Sequence, residues 1–247
     1  MQDPGNRWGA YSVIILAYLI GGGSLLLFGA FLIAGPFTFI RFAISEAQAL
    51  ILNGVVSLVF FTQHSGMIRT AFRTWFACVI PSLYHPAIYA VTSGLALTAV
   101  VLLWQPSPRV LFRLQGNLQW LTRALSLLAI AGFIWGVRAL RAFDPFGLVP
   151  ILFRLRGREM RPPIFVLRGP YFWVRHPLYF FVLVLVWSVP EISADRLLFN
   201  VLWSGWIVMG SCLEERDLVA EFGEQYRRYQ KTVPMLVPWR GPAGREL

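Results

Sequence analysis

Charge is what this chain has least of. Only 14% of its 247 residues are Asp, Glu, Lys or Arg, whereas a soluble domain carries about a quarter. With 57% apolar residues, 15% aromatics and a mean hydropathy of +0.60, this deficit excludes an ordinary water-soluble domain and points to a polytopic membrane protein. Lysine is nearly absent. Lys231 stands alone, so the formal net charge of +10 rests on arginine. The arginines lie between apolar runs, which assigns them to topology and anionic lipid headgroups and argues against a nucleic-acid partner. The two cysteines, Cys78 and Cys212, are too few and too isolated for a disulfide framework or a structural zinc site. His64, His85 and His176 show neither HxxxH nor HExxH spacing, so the sequence offers no metal site. There is also no glycine-rich nucleotide loop and no alternation of strand and helix patterns, which excludes a soluble doubly wound cofactor domain.

Long uncharged runs are what is present. Trp8 to Ile40 carries no charge and is broken at Gly35-Pro36, so a first span over 11–34 fits the roughly 20 residues a bilayer demands. It is too long for a signal-peptide core and reads as retained. Its "GGGS" at 21–24 marks a kink or, as the blander reading, a close-packed face. Further runs predict spans at about 47–63, 86–104, 118–137, 177–190 and 196–213. Between them, residues 138–176 hold eight arginines against Asp144 and Glu159. The tail from Glu214 holds six basic residues, and the turn 191–196 nets one negative charge. The positive-inside rule then puts the arginine-rich loop and the tail together in the cytoplasm. The expected fold is an all-α polytopic membrane protein of about six transmembrane helices, ending in a cytoplasmic amphipathic helix. Five spans plus a partly inserted hairpin is the alternative, because several runs are short. The chain divides into N-terminal helices, 1–140, and a C-terminal core, 141–247, within one integrated domain.

Two polar islands flank the last hairpin and so lie on one side. The first, "RGPYFWVRHPLY" at 168–179, presents His176 just before Pro177. Proline suits the first position of a helix, so His176 sits beside unpaired backbone donors that favour an anion. The second is "CLEERDLVAEFGEQYRRYQKTVPMLVPW" at 212–239. Its Glu214, Glu215 and Asp217 fall near the predicted end of the last span, where the helix dipole prefers cations, so arginines of the first island are their natural partners. Tyr226 and Tyr229 are three apart and share a helix face. Taken singly, each feature has a plain explanation. Arg175 serves as a snorkelling anchor, the tyrosines as an interfacial belt, the glutamates as solvated surface and His176 as a satisfied interfacial histidine.

In combination and order, "GPYFWVRHPLY", a hairpin, and then "EERDLVAEFGEQYRRYQKTVPMLVP" resemble the integral-membrane methyltransferases related to isoprenylcysteine carboxyl methyltransferase. Phospholipid methyltransferases share parts of the pattern. The resemblance covers about 165–239. In order along the whole chain, "QHSGMIR" (63–69), "FDPFGL" (143–148) and "WSVPEISADRLLF" (187–199) are similar to the nurim-like branch, which contains bacterial methanethiol S-methyltransferases; Pro145 departs from the bulkier residue expected there. The resemblance implies methyl transfer from S-adenosylmethionine to a small thiol, giving a thioether such as dimethyl sulfide, in a bacterial inner membrane with the donor site on the cytoplasmic side. It implies a donor site of His176, Tyr179, Glu214, Glu215, Tyr226, Tyr229 and the backbone around Pro234–Leu236.

The chemistry of the residue types agrees. Arg175, His176 and the following helix N-terminus suit the donor's carboxylate. Glu214 or Glu215 suits its ammonium, aromatic faces suit its sulfonium at about 0.5–2 kcal/mol, and "PMLVP" suits its adenine. Thiolates attack far better than thiols, which makes His64, on the predicted donor side, the candidate base; a capping or structural histidine is the plain alternative. Other readings are a methyltransferase for a prenylcysteine carboxyl or a lipid headgroup, a non-catalytic nurim-like membrane protein, and a membrane reductase of the sterol type, for whose nicotinamide cofactor nothing in the sequence speaks.

Overall fold

A computed structural model describes residues 4–140, 143–160 and 164–244, with side chains from Arg7 onward. In chain order the helices are α1 (Pro4–Leu16), α2 (Gly22–Ala34), α3 (Glu46–Ile68), α4 (Thr70–Phe76), α5 (His85–Leu103), α6 (Asn117–Ala139), α7 (Val149–Leu155), α8 (Pro177–Trp187), α9 (Ala194–Phe222) and α10 (Glu224–Thr232). Two short strands, β1 (Val110–Arg113) and β2 (Glu191–Ser193), pair antiparallel, with Arg113 bridging Glu191 at 2.6 Å. The protein is all-α and polytopic. Five helical segments are long and apolar enough to cross a bilayer: Arg7–Ala34, Glu46–Ile68, Ser82–Leu103, Asn117–Ala139 and Ala194–Phe222. The remaining expected span, 177–190, is α8, with only 11 residues. At 1.5 Å per residue it reaches about 16 Å, half of the ~30 Å hydrocarbon core.

Packing divides the chain into two compact units, Met1–Ser107 with Asp144–Pro162, and Pro108–Phe143 with Pro163–Leu247. The division interleaves. Helix α6 belongs to the second unit and α7 to the first, so no single cut near residue 140 separates them. Arg141, Arg161 and Arg245 of the predicted basic segments lie outside the described residues.

In the first unit, α1 runs into α2 through a π-helical turn at Ala17–Gly21, so the glycine run begins at a genuine irregularity. It is also a packing face. A Cβ on Gly21 would stand 3.0 Å from Phe146, and one on Gly94 3.0 Å from the Ile20 carbonyl. The "FDPFGL" motif has a local explanation. The Asp144 carboxylate accepts the backbone N–H of Leu148 at 3.0 Å and of Val149 at 2.7 Å, which caps α7. Phe146 meets Tyr18 edge-on at 5.5 Å, and Gly147, at φ +64, packs so tightly on Pro86 that a Cβ would come within 2.2 Å of its carbonyl carbon. Pro145 falls in the turn between these anchors. Ala10, Ala17, Ala87 and Ile151 form the buried cluster that α7 closes. Ser45 opens α3 with a capping box to Gln48. Inside the unit, Asn53 and Gln105 exchange two 2.8 Å hydrogen bonds, Asn53 Nδ2 to the Gln105 carbonyl and Gln105 N–H to Asn53 Oδ1.

In the second unit, α6 packs on α8 through two glycines. A Cβ on Gly132 would meet the Phe181 ring at 2.2 Å, and one on Gly136 would meet Leu178 at 2.7 Å. Small residues let helices approach closely where lipid offers no hydrophobic drive between them. Helix α9 follows from Ser193, whose hydroxyl accepts the Arg196 N–H. It does not stop near 213 as expected but runs 29 residues to Phe222, about 43 Å. Gly223, at φ +57, then turns the chain into α10. Glu214, Glu215 and Asp217 therefore lie within a continuing helix. The dipole argument for their pairing falls, and side-chain geometry replaces it.

Candidate functional site

The start of α8 and the end of α9 meet the tail. Arg175 N–H donates to the Pro234 carbonyl at 2.9 Å, and His176 N–H to the Met235 carbonyl at 3.0 Å. The two polar islands thus come together within one unit, through the backbone carbonyls of Pro234 and Met235. His176 is the residue before α8, with Pro177 opening the helix. The anion beside it is the protein's own. His176 Nε2 lies 3.2 Å from Glu215 Oε1, and its ring stacks on Tyr179 at 5.6 Å.

Glu215 is the hub. Arg175 Nε donates to its Oε1 at 2.5 Å and Nη2 to its Oε2 at 3.0 Å, a bidentate fork. Gln230 Nε2 donates to Oε2 at 2.8 Å. The remaining Arg175 nitrogen, Nη1, donates to the Gln230 and Val233 carbonyls. With side-chain exposures of 10% and 11%, Arg175 and Glu215 form a buried, fully satisfied pair. Neither of the two readings weighed for Arg175 describes this; the guanidinium clasps α9, α10 and the tail. Glu214 differs from its neighbour. Its side chain is 45% exposed, and its carboxylate stands 3.8 Å from His176 Nδ1.

Tyr226 and Tyr229 do share a face, and that face is buried. Both are 2% exposed, their rings meet edge-on at 5.7 Å, and Phe165 completes the cluster at 5.9 and 5.5 Å. Such ring pairs add about 0.5–1.5 kcal/mol each beyond burial. Tyr229 donates its hydroxyl to the Tyr171 carbonyl at 2.6 Å. The Tyr226 hydroxyl is buried without a well-aligned partner and feels both Glu215 and Arg175. Burial pushes the phenols of Tyr171, Tyr226 and Tyr229 well above their ordinary value; nearby carboxylates add to this, Glu214 at Tyr171 and Glu215 at Tyr226. All three stay neutral donors.

A cleft of about 350 Å³ opens beside the hub, lined by Cys212, Glu215, Arg216, Val219 and Gln230, within the range of small-molecule sites. Sequence reasoning missed four of these residues, Val219 among them. Gln230 carries a signal, since Tyr226, Tyr229, Gln230 and Val233 follow the i, i+3, i+4, i+7 stripe of one helix face. Arg216 and Cys212 carry none.

His64 lies in the other unit, on α3. Its ring stacks on Phe60 at 5.1 Å and lies against Tyr89 of α5, whose hydroxyl is 3.0 Å from Nδ1 and 2.9 Å from Nε2. Among the described residues, no group of three or more His, Cys, Asp or Glu side chains is placed to hold a metal.

Fold and site define a multi-pass helical membrane protein whose polar groups converge where a helical hairpin meets its tail. The chain belongs to the methanethiol S-methyltransferase family. It is 34% identical over 199 residues to methanethiol S-methyltransferase 1 of Bradyrhizobium diazoefficiens, covering 79% of this chain and 69% of that protein. It is 36% identical over 197 residues to the methanethiol S-methyltransferase of a Pseudomonas species, covering 78% and 74%. Nurim of Sus scrofa is more distant, 27% identical over 173 residues, covering 65% and 64%, in line with the nurim-like branch. No family model and no solved structure matches the chain.

Proposed function

We propose that this protein is an S-adenosylmethionine-dependent methyltransferase that methylates a small thiol, methanethiol foremost, to a thioether such as dimethyl sulfide. The convergence of both polar islands on Glu215, in a chain of this family, carries the reading. When bound, S-adenosylmethionine supplies an electrophilic methyl group on a sulfonium. The residues fit that donor with one exchange of roles. Arg175 is engaged by Glu215 and two carbonyls, so its part is to hold the site together, while Arg216 lines the cleft on a different face of α9 from Glu214. Glu215 is saturated, so the more exposed Glu214 takes the ammonium. His176 is held by Glu215 and stacked on Tyr179, and orients Glu214. Tyr226, Tyr229 and the Pro234–Leu236 backbone shape the wall.

The protein's work is alignment and exclusion of water. A thiol must also lose its proton, and His64 takes the base's role in this reading. The positive charge of the arginine-rich loop and tail supports a donor side in the cytoplasm, at the inner membrane of a bacterium. Calorimetry with S-adenosylhomocysteine tests the donor site. Wild type binds, Glu214→Ala loses binding while keeping its melting temperature, and Glu215→Ala loses both. No binding to the wild type refutes the reading. Headspace detection of dimethyl sulfide from methanethiol and donor then tests the acceptor.

A further inference from the structure

The outer edge of the tail is basic and aromatic, and the second unit sets it at the level of the bilayer surface. Three features mark that level. A Cβ on Gly136 would meet Leu178, so the first turn of α8 lies beside the last turn of the apolar span α6, where Arg138 returns charge to the chain. Glu214 and Glu215 are the first charges on α9 after Arg196, and Glu215 is held by Arg175 and His176 just ahead of α8. Trp135 and Trp173 stay exposed there, as indoles do at a membrane–water interface.

The tail is pinned to this level at both ends. Its Pro234 and Met235 carbonyls hold the backbone of Arg175 and His176, and Ala243 N–H donates to the Phe172 carbonyl at 2.9 Å. Helix α10 returns to the same level. From Glu215, α9 carries the chain ~10 Å outward to Phe222, Gly223 reverses it, and the 2.8 Å bond from Gln230 to Glu215 closes an antiparallel pair. Glu221 and Glu224 therefore stand at the far end, and Arg228 and Lys231 at the near end. Arg240 joins them, since its Nη1 donates to the Lys231 carbonyl at 3.3 Å and its guanidinium lies 4.1 Å over the Trp239 ring. Arg227 has Glu224 as a partner at 3.3 Å, whereas among the described residues no carboxylate pairs with Arg228, Lys231 or Arg240. Beside these cations Val237 and Trp239 are left exposed.

We propose that Arg228, Lys231, Trp239 and Arg240 form a site for the phosphate headgroups of anionic phospholipids in the surrounding bilayer. Lys231, Arg228 and the remaining N–H groups of Arg240 donate to phosphate oxygens, while Val237 and the Trp239 ring sink into the interface. The stacking on Trp239 holds the Arg240 guanidinium in place before a lipid arrives. Each cation near an anionic surface strengthens attachment about fivefold, so three together give ~10²-fold. A lipid bound here grips the segment whose carbonyls fasten Arg175 and His176. The site stands on packing and charge alone and does not depend on the reading of the donor cleft.

The test uses the full chain in nanodiscs, one set of phosphatidylcholine and one enriched in phosphatidylglycerol. Chymotrypsin cleaves after the exposed Trp239, and release of the following fragment reports whether lipid covers the edge. Each protein is compared with itself in the two lipids, so a change in its intrinsic cleavage rate cancels. Any effect of lipid charge on the protease is common to wild type and variant. Relative to the triple variant Arg228→Gln, Lys231→Gln, Arg240→Gln, phosphatidylglycerol protects the wild type at least about tenfold. High salt, which screens exposed charges, removes that protection. The three side chains are exposed, so the variant keeps the melting temperature of the wild type in detergent. If it does not, Arg228→Gln alone decides: a fall of about fivefold in protection supports the site, and no fall overturns it. The same lipid ratio in wild type and triple variant, or protection that survives high salt, also overturns it.

Discussion

Replacing Arg175 by alanine isolates the clasp. The substitution removes the bidentate fork on Glu215 and both donors to the Gln230 and Val233 carbonyls. Glu215 is left as a buried carboxylate with His176 and Gln230 for company. Taking one partner from a buried pair costs about 3–5 kcal/mol, because the other charge stays desolvated. That cost falls on the attachment of the tail, which Arg175 joins to α9. At 1.4 kcal/mol per decade, the equilibrium for local opening of residues 224–244 rises about 10²- to 4 × 10³-fold. Limited trypsin digestion reads this directly, since cleavage of a transiently opened segment follows its open population when closing is fast. The exposed Arg227, Arg228, Lys231 and Arg240 are the reporters. Arg175→Lys supplies a charge without the planar fork and falls between. Tail cleavage in Arg175→Ala within about threefold of wild type would falsify the clasp.

Gly132→Ala forces a Cβ into the Phe181 ring and lowers stability by about 1–3 kcal/mol, the usual cost of overpacking. Gly29→Ala, which meets nothing within 4 Å, serves as the control, and equal melting temperatures for the two variants would refute the tight α6–α8 contact. The buried tyrosines set an alkaline limit. Tyr171, Tyr226 and Tyr229 have phenols raised by folding above the ordinary value of about 10, so the folded state holds protons that the unfolded chain releases. Their stabilising contribution is full below pH 10 and is lost as pH rises beyond it. Melting temperature against pH should fall above 10, and Tyr226→Phe should flatten that fall. An unaltered slope contradicts it.

The parts of this protein written as periodic apolar runs were legible, and so were the two polar islands. Proline at 177 announced the start of α8 and placed His176 correctly, because proline restricts its own position and the one before it. What hid was pairing at a distance. Glu214 and Glu215 are adjacent and chemically identical in sequence, yet consecutive helical residues point about 100° apart. One meets Arg175, His176 and Gln230, and the other keeps much of its side chain exposed. The end of α9 was misplaced for a related reason. Charged residues end a hydrophobic run without ending a helix, and only Gly223 provides the stop. His64 and Tyr89 are 25 residues apart on different helices, and no local pattern links them.

The interleaving of the two units bears on how the chain is made. The buried cluster of Ala10, Ala17 and Ala87 is completed by Ile151, which leaves the ribosome after all of α6, a helix of the other unit. The first-made helices must therefore wait, with their core open on one side, until a later segment returns to close it. Folding from the N-terminus in order of synthesis is thus barred from completing the first unit early. A nick or a gene split after residue 140 would leave the N-terminal fragment without its last packing helix, however intact its membrane spans.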